Sequence, residues 1–208
     1  METKVGGDKA KEIIGRLPFD EAICTETRGL FGGLWLLWNL DIVEVSLLAK
    51  TEKEIHVLVK VRPFDLNWLF STVYASLRFE EMCILWKNLA TVSELNNLPW
   101  VLAGGFNEPL INENKFGGRA ISINKSLLFK EFLDKCNMVD LAFSGPRFTW
   151  TNKRGISDLT QERIDRVFVN SEWWNLFLEA RVTHLTRCHS DHCPVLLESS
   201  AKDSLYLE

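Results

Sequence analysis

Residues 99–110 read PWVLAGGFNEPL: a proline, a short apolar run, two adjacent glycines, and then Phe-Asn-Glu. An apolar run bounded by proline and glycine is typical of a buried strand. A strand that ends in Gly104 and Gly105 and delivers Asn107 is suited to the floor of an active site. Such a floor usually carries a charged ligand as well, and position 105 offers only backbone.

The neighbouring segments predict more strands. In EIHVLVKV, residues 54–61, the apolar side chains fall on one face and Glu54, His56 and Lys60 on the other. This period of two predicts a half-buried strand. The segments DIVEVSLL and NWLFSTVYAS alternate in the same way, which predicts an antiparallel meander over residues 41–76.

Helical spacing occurs in three places. Residues 79–95 and 125–139 keep the three-four spacing of amphipathic helices, the second through Leu128, Phe132, Cys136 and Val139. A shorter helix is predicted to start near Asp8, an N-cap type of residue.

Further short strands are predicted in RFTWTN, RIDRVFVN, ARVTHL and CPVLLES. With no repeat or linker, residues 1–208 are predicted to form one α+β domain with mostly antiparallel sheets, packed as two sheets face to face.

Composition restricts the class of protein. With 46% hydrophobic and 25% charged residues the chain has an ordinary globular composition, and its five scattered cysteines fit reduced thiols inside a cell. The apolar stretch GLWLLW is too short to span a bilayer, and no signal peptide opens the chain. These features predict an intracellular protein, nuclear or cytoplasmic and not secreted. A net charge of −4 argues against a protein that coats nucleic acid, but not against a metal-dependent nuclease.

The segment RCHSDHCP, residues 187–194, permits three interpretations. Zinc ligation by its cysteines and histidines is disfavoured, because the four residues crowd together with no second pair elsewhere. A relay of Ser190, Asp191 and His192 fails, because consecutive residues of an extended chain point to opposite faces. In the third, Asp191 and His192 stand at the rim of a sheet and serve metal-assisted phosphoryl chemistry. On this segment alone, a solvated histidine beside a capping aspartate is an equal alternative.

Two other residues are candidates for a site. Asp165 lies inside the apolar strand RIDRVFVN, where its carboxylate needs a partner, either a neighbouring arginine or an imidazole whose tautomer it would fix. Tyr74 ends the meander, either with its hydroxyl in a cleft or as a half-buried core residue.

The segments METK, VYASLR, PWVLAGGFNE, FTWTN, RIDRVFVN and SDHCPVLLE, taken in this order, resemble the endonuclease/exonuclease/phosphatase superfamily. The resemblance covers essentially the whole chain and is greatest to the apurinic-type endonuclease domain of plant LINE (non-LTR) retrotransposons. It implies a deoxyribonuclease I-like sandwich flanked by helices that cuts DNA phosphodiester bonds with Mg²⁺ or Mn²⁺. Family members are fused to a reverse transcriptase, and no obligate protein partner is evident here.

Several roles are implied by this resemblance alone. Glu2 matches a metal-binding glutamate, and Asp191 matches the last acidic residue of the site, which also binds metal. His192 matches the catalytic histidine, and Asp165 the carboxylate that orients it.

The remaining matched residues face the substrate. Tyr74 matches a catalytic tyrosine that contacts the phosphate, and Asn107 a catalytic asparagine beside the attacking water. Trp150 and Asn152 fall in a segment near the DNA-facing rim of the family's enzymes.

Two departures from the family pattern alter the expectation. Family members have an aspartate at the position of Gly105, where it holds or deprotonates the nucleophilic water. They also begin with a further strand and helix before METK, so the first strand is expected to be missing here, with open edges near residues 20–37 and 193–199. The chain is therefore expected to be an impaired endonuclease. The alternatives are an inactive retrotransposon remnant with residual nucleic-acid binding, or a phosphatase of the same superfamily.

Overall fold

The computed structural model describes residues 3, 5–28, 31–62 and 66–199. Its helices are α1 Gly7–Ile14, α2 Phe79–Leu95, α3 Ile123–Lys135 and α4 Ser171–Leu176. Its strands are β1 Glu21–Cys24, β2 Thr27–Arg28, β3 Phe31–Gly32, β4 Trp35–Trp38, β5 Val43–Lys50, β6 Glu54–Val61, β7 Leu66–Tyr74, β8 Trp100–Gly105, β9 Lys115–Phe116, β10 Val139–Asp140, β11 Phe143–Ser144, β12 Trp150–Thr151, β13 Gln161–Glu162, β14 Asp165–Val169, β15 Arg181–His184 and β16 Val195–Glu198.

A six-stranded sheet in the order β10-β14-β8-β7-β6-β5 is the centre of the fold. Strands β5, β6 and β7 pair antiparallel, so the predicted meander is confirmed. Strand β8 is inside the sheet, parallel to β7 on one side and antiparallel to β14 on the other. The segment quoted first is therefore a central strand, which explains its continuous apolar character.

The two faces of this sheet are covered differently. Helices α2 and α3 cover one face, where Trp86 stacks on Phe129 with ring centroids 4.6 Å apart and Phe106 meets Phe168 edge to face. The other face packs against smaller sheets, one of β11-β15-β16 and one of β1-β4, through clusters that include Val182 and Leu34. The prediction of an α+β sandwich with mostly antiparallel sheets flanked by helices is confirmed.

The second layer is made of separate pieces. Within the described residues, β16 pairs with β15 alone and β1 with β4 alone, so each keeps one edge without a described partner. The resemblance predicts open edges at these strands, because the family's first strand is expected to be missing. That the family's first strand would pair here stays a prediction.

The helix predicted over residues 125–139 was wrong at its C-terminal end. Asn137 has a φ of +51°, and the Met138 N–H donates back to the Leu133 carbonyl, a pattern that closes a helix. Val139 then lies in β10 and is exposed rather than on a helical core face. Spacing alone missed this because an asparagine in the left-handed region ends a helix without interrupting the apolar pattern.

Two smaller expectations also need correction. The N-cap of α1 is Gly6, and Asp8 lies inside the first turn, where its carboxylate favours the helix dipole. The polar face of β6 is not solvated, since Glu54 and His56 are both buried. The helical layer covers that face of the sheet, and periodicity could not show it.

No helix of the described part of the chain is both long and apolar enough to cross a membrane.

Candidate active site

Three strands place their last or first residues side by side at one end of the central sheet. In the β7-β8 ladder Tyr74 lies opposite Gly105, and in the β8-β14 ladder Gly105 lies opposite Asp165. Directly opposed residues of a sheet share a face. Tyr74, Asp165 and any side chain at 105 therefore point to the same side, where the second layer of the fold leaves a cleft.

Asp165 contacts His192 across this cleft. Their Oδ2 and Nδ1 atoms are 2.7 Å apart, and the two side chains are 10% and 16% exposed. An ionised carboxylate can only accept a hydrogen bond, so Nδ1 must carry the proton and the neutral imidazole keeps its lone pair on Nε2. No described residue hydrogen-bonds to Nε2, and His192 lines the cleft. The ring is thus prepared to take or give a proton there.

Asp191 is held beside this pair by Trp150. The Trp150 indole N–H donates to Asp191 Oδ2 at 3.1 Å, and the Thr151 N–H donates to the Asp191 carbonyl at 3.0 Å. Partial burial acts to raise the pKa of Asp191, but the hydrogen bond from Trp150, a backbone hydrogen bond and the nearby Lys153 charge outweigh it and lower the pKa. The Asp191 carboxylate is therefore an anion at neutral pH.

Asn107 follows β8 in a conformation that fixes its side chain. Its φ is +51°, which asparagine adopts more readily than most residues, and its Nδ2 donates to the Ala75 carbonyl at 2.6 Å. The amide oxygen keeps its acceptor capacity and Asn107 lines the cleft.

The two adjacent glycines of the first-quoted segment differ in what they require. A Cβ on Gly104, whose φ is +146°, would stand 2.1 Å from the Val73 carbonyl oxygen, so only glycine fits there. A Cβ on Gly105 would stand 3.4 Å from both Asp165 Oδ1 and the Tyr74 ring, an ordinary contact. The fold therefore requires the first glycine, whereas at the second it accepts a Cβ without a clash.

These groups line an open cleft of about 670 Å³. Its lining residues are Tyr74, Leu77, Asn107, Trp150, Asn152, Arg154, Thr160, Glu162, Ile164, Ser190, Asp191 and His192. All the matched residues that the structure describes, except Asp165, line this cleft. Asp165 reaches it through its contact with His192, from which it is 27 positions away in sequence. Glu2, the remaining matched residue, lies outside the described residues.

Asn152 supports the rim of the cleft from within the protein. Its Oδ1 accepts hydrogen bonds from the backbone N–H groups of Arg154 and Thr160, and its Nδ2 donates to the Asp158 carbonyl at 2.8 Å. The amide therefore shapes the loop that carries Arg154. Arg154 lines the cleft without an ion-pair partner among the described residues, and sequence reasoning missed it.

Glu108 was also missed, although it stands in the quoted segment beside Asn107. Its side chain is 7% exposed, and its nearest described cation is Lys125, at 4.0 Å between Oε2 and Nζ. Burial raises the pKa of Glu108 to about 7, against the opposing effect of Lys125. Lys125, whose side chain is 22% exposed, also donates to the carbonyl of Leu77, a residue that lines the cleft.

A divalent metal ion, which the resemblance implies, finds an incomplete set of ligands here. Metal ions of the Mg²⁺ type prefer several carboxylate and carbonyl oxygens. The described residues contain no group of three histidine, cysteine, aspartate or glutamate side chains that could hold one. Asp191 supplies a carboxylate and Gly105 supplies none, so the described residues do not by themselves make a metal site.

Comparisons with known proteins agree with the fold. Among solved structures, the endonuclease domain of TRAS1, a telomere-specific non-LTR retrotransposon, is similar with a TM-score of 0.66 at 14% identity, covering 88% of this chain and 81% of that one. A functionally unknown conserved protein from Enterococcus faecalis has a TM-score of 0.62 at 18% identity, covering 94% and 82%. A mannosyl-6-phosphatase from Bacteroides thetaiotaomicron has a TM-score of 0.57 at 17% identity, covering 90% and 79%. Identities this low establish the fold alone.

No curated protein matches this sequence. The pattern of the Endonuclease/Exonuclease/phosphatase family matches residues 2–192, which is most of the chain. The predicted resemblance is therefore confirmed at the level of the family, and this chain belongs to the endonuclease/exonuclease/phosphatase family.

Proposed function

We propose that this chain is the endonuclease domain of a LINE-type, non-LTR retrotransposon, cutting phosphodiester bonds of DNA at a reduced rate. The observation that carries the proposal is the Asp165–His192 pair, 2.7 Å apart, facing a cleft beside Asp191 and Asn107 while Gly105 contributes no carboxylate. The Asp165–His192 pair that would transfer a proton is present. One carboxylate that would help to bind the metal ion is missing at position 105.

His192 acts through Nε2, which faces the cleft and exchanges a proton with the phosphate or its attacking water. Asp165 keeps the Nδ1 proton in place and stabilises the imidazolium that forms. Tyr74 and Asn107 contact the phosphate from the floor of the cleft. The Arg154 guanidinium, unpaired among the described residues, supplies a positive charge that suits phosphate.

Members of this family are generally dependent on divalent metal ions. We propose Mg²⁺ or Mn²⁺ as the cofactor, bound through Asp191 and Glu2. The affinity for the ion is lowered because Gly105 supplies no carboxylate. Fewer anionic ligands lower the affinity of an oxygen site for a divalent cation. Substrate binding is expected to suffer less than turnover, because the phosphate contacts do not depend on position 105.

DNA is the proposed substrate because the family includes nucleases, and the TRAS1 domain with its similar fold comes from a retrotransposon. The cleft is open along the rim formed by Trp150 and the loop of Asn152, which suits a polymer better than an enclosed pocket would. Since the Trp150 N–H is used by Asp191, its contact with DNA would be through the face of the ring.

Two alternatives rest on specific observations. The similarity to a mannosyl-6-phosphatase favours a phosphatase that acts on a small phosphate ester. The glycine at 105 favours an inactive remnant that keeps the fold and binds nucleic acid weakly.

A single set of assays separates the three. Supercoiled plasmid and a small phosphate monoester are each incubated with the chain and Mg²⁺ or Mn²⁺, with EDTA and the His192→Ala variant as controls, and DNA binding is measured in parallel. The proposal predicts DNA binding, slow metal-dependent nicking that needs His192, and no monoester hydrolysis. Monoester hydrolysis without nicking would establish the phosphatase, and binding without nicking, even with Asp restored at 105, would establish the remnant.

A further inference from the structure

Thr149 is fully buried and hydrogen-bonds to the backbone near both members of the Asp165–His192 pair. Its Oγ1 accepts two backbone hydrogen bonds, from the N–H of Ile164 at 3.1 Å and from the N–H of Asp165 at 3.0 Å. Its carbonyl oxygen accepts a third, from the N–H of Cys193 at 2.7 Å. One residue therefore contacts the backbone of Asp165 and the backbone directly after His192.

These three bonds, with that from the Thr151 N–H to the Asp191 carbonyl, join two segments that are far apart in sequence. Asp165 opens β14 in the central sheet, whereas His192 lies in the loop before β16 in the second layer. The loop has local bonds of its own, such as that from the His192 N–H to Ser190 Oγ at 3.1 Å, but these do not reach β14. The geometry between the carboxylate and the imidazole thus depends on bonds that cross between the layers.

We propose that Thr149 is a positioning residue: its hydroxyl fixes the backbone that carries Asp165, while its carbonyl fixes the backbone that carries His192. A hydroxyl oxygen has two lone pairs, and both are used here on adjacent amides. The proposal rests on the proposed function for what the pair does, but its geometry is independent of catalysis. Hydrogen-bonding groups that hold a catalytic carboxylate commonly decide whether it is aligned with its histidine.

The chain offers matched variants for this claim. Thr149→Val keeps the shape and removes the hydroxyl, whereas Thr149→Ser keeps the hydroxyl and removes a methyl group. Thr151→Val makes the same chemical change two residues along, at another buried threonine, whose Oγ1 accepts from the Lys153 N–H and contacts neither partner of the pair.

The test is a nuclear magnetic resonance measurement on the full chain labelled with ¹⁵N-histidine, which has four histidines to resolve. The Nδ1 proton of His192, identified by its loss in His192→Gln, reports the bond to Asp165 without any need for enzymatic activity. In Thr149→Val its exchange with water should accelerate at least about tenfold, while Thr149→Ser and Thr151→Val should stay within about threefold of the unaltered chain. Nicking in a Gly105→Asp background should follow the same order.

Two results would overturn the proposal. One is an unchanged His192 Nδ1 proton in a folded Thr149→Val protein. The other, which applies even if Thr149→Val fails to fold, is loss of this proton in folded Thr149→Ser, because the hydroxyl would then not be the group that matters. If the resonance responds as predicted but no variant ever nicks DNA, the positioning role stands and the proposed function fails.

Discussion

The described part of the molecule has one carboxylate–imidazole pair at the cleft and another in the core, and the two have opposite surroundings. Asp165 and His192 meet at the cleft, where among the described residues the second ring nitrogen has no hydrogen-bond partner. Glu54 and His56 meet beneath α2, with both side chains about 95% buried and His56 Nε2 3.3 Å from Glu54 Oε2, a proximity rather than an aligned hydrogen bond. The chemical groups are alike, and their uses differ.

The two pairs differ in the surroundings of the imidazole nitrogen that does not face the carboxylate. In the core, His56 Nδ1 lies 2.7 Å from Ser71 Oγ, which also accepts the Trp100 indole N–H at 2.9 Å. Asn88 donates to the other oxygen of Glu54 at 2.7 Å. The group resembles a hydrolase triad in its residue types, but it is sealed from water and substrate. A carboxylate–imidazole pair thus acquires a chemical role only where one nitrogen is left to the solvent side.

The largest expected effect is on the cleft pair. In a chain carrying Gly105→Asp, His192→Ala removes the group that exchanges the proton, and a loss of about 10³-fold in nicking rate is expected, ~4 kcal/mol of barrier. Plasmid nicking should fall to the level of a buffer blank. Because the largely buried Asp165 carboxylate loses its partner, the free energy of unfolding should also fall, by about 1–2 kcal/mol. A variant that still nicks at the parent rate would remove His192 from the reaction.

Glu108 is a third carboxyl, buried close to Asn107 in sequence and without an imidazole as ion-pair partner among the described residues. Because burial raises its pKa from the ordinary 4.5 to about 7, the folded state binds more protons than the unfolded state between these values. The free energy of unfolding should therefore fall as pH rises from 4.5 to 7, by on the order of 3 kcal/mol at most. Denaturant titrations across this range measure the slope. Glu108→Gln should flatten it and be the more stable protein at pH 8, whereas equal slopes for both proteins would contradict the assignment.

A matched amide substitution at each pair compares them directly. Glu54→Gln keeps the oxygen that accepts from Asn88 but buries an amide NH₂ group, of which at most one N–H can reach His56 Nε2, and the unpaired donor should lower the free energy of unfolding by about 2 kcal/mol. Asp165→Asn should change stability by less than about half of that, but should remove nicking in the Gly105→Asp chain by favouring the wrong His192 tautomer. Chemical denaturation and plasmid nicking on both variants give the comparison. Equal stability losses at the two positions would mean that the cleft pair is structural as well.

The same contrast explains what the sequence could and could not predict. Alternation in 54–61 correctly placed the apolar face of β6, but it could not show that α2 buries Glu54 and His56 as well, because periodicity does not report what packs on the second face. The resemblance correctly brought Asp165 to His192. Thr149 and Glu108 escaped notice because their importance lies in burial and in bonds between distant segments. The local pattern of polar and apolar residues shows neither which polar side chains are buried nor which distant segments they bond to.

Position 105 gives the most direct test of the central claim, that the site lacks a carboxylate at this position. A Cβ at this position meets Asp165 and Tyr74 at ordinary contact distance, and the backbone there does not need glycine. Gly105→Asp should raise the Mg²⁺-dependent nicking rate at least tenfold, about 1.4 kcal/mol of barrier. Gly105→Asn, similar in size but uncharged, is the control and should raise the rate far less. Efficient cutting by the unaltered chain, or an equal gain from both variants, would contradict the role assigned to the missing carboxylate.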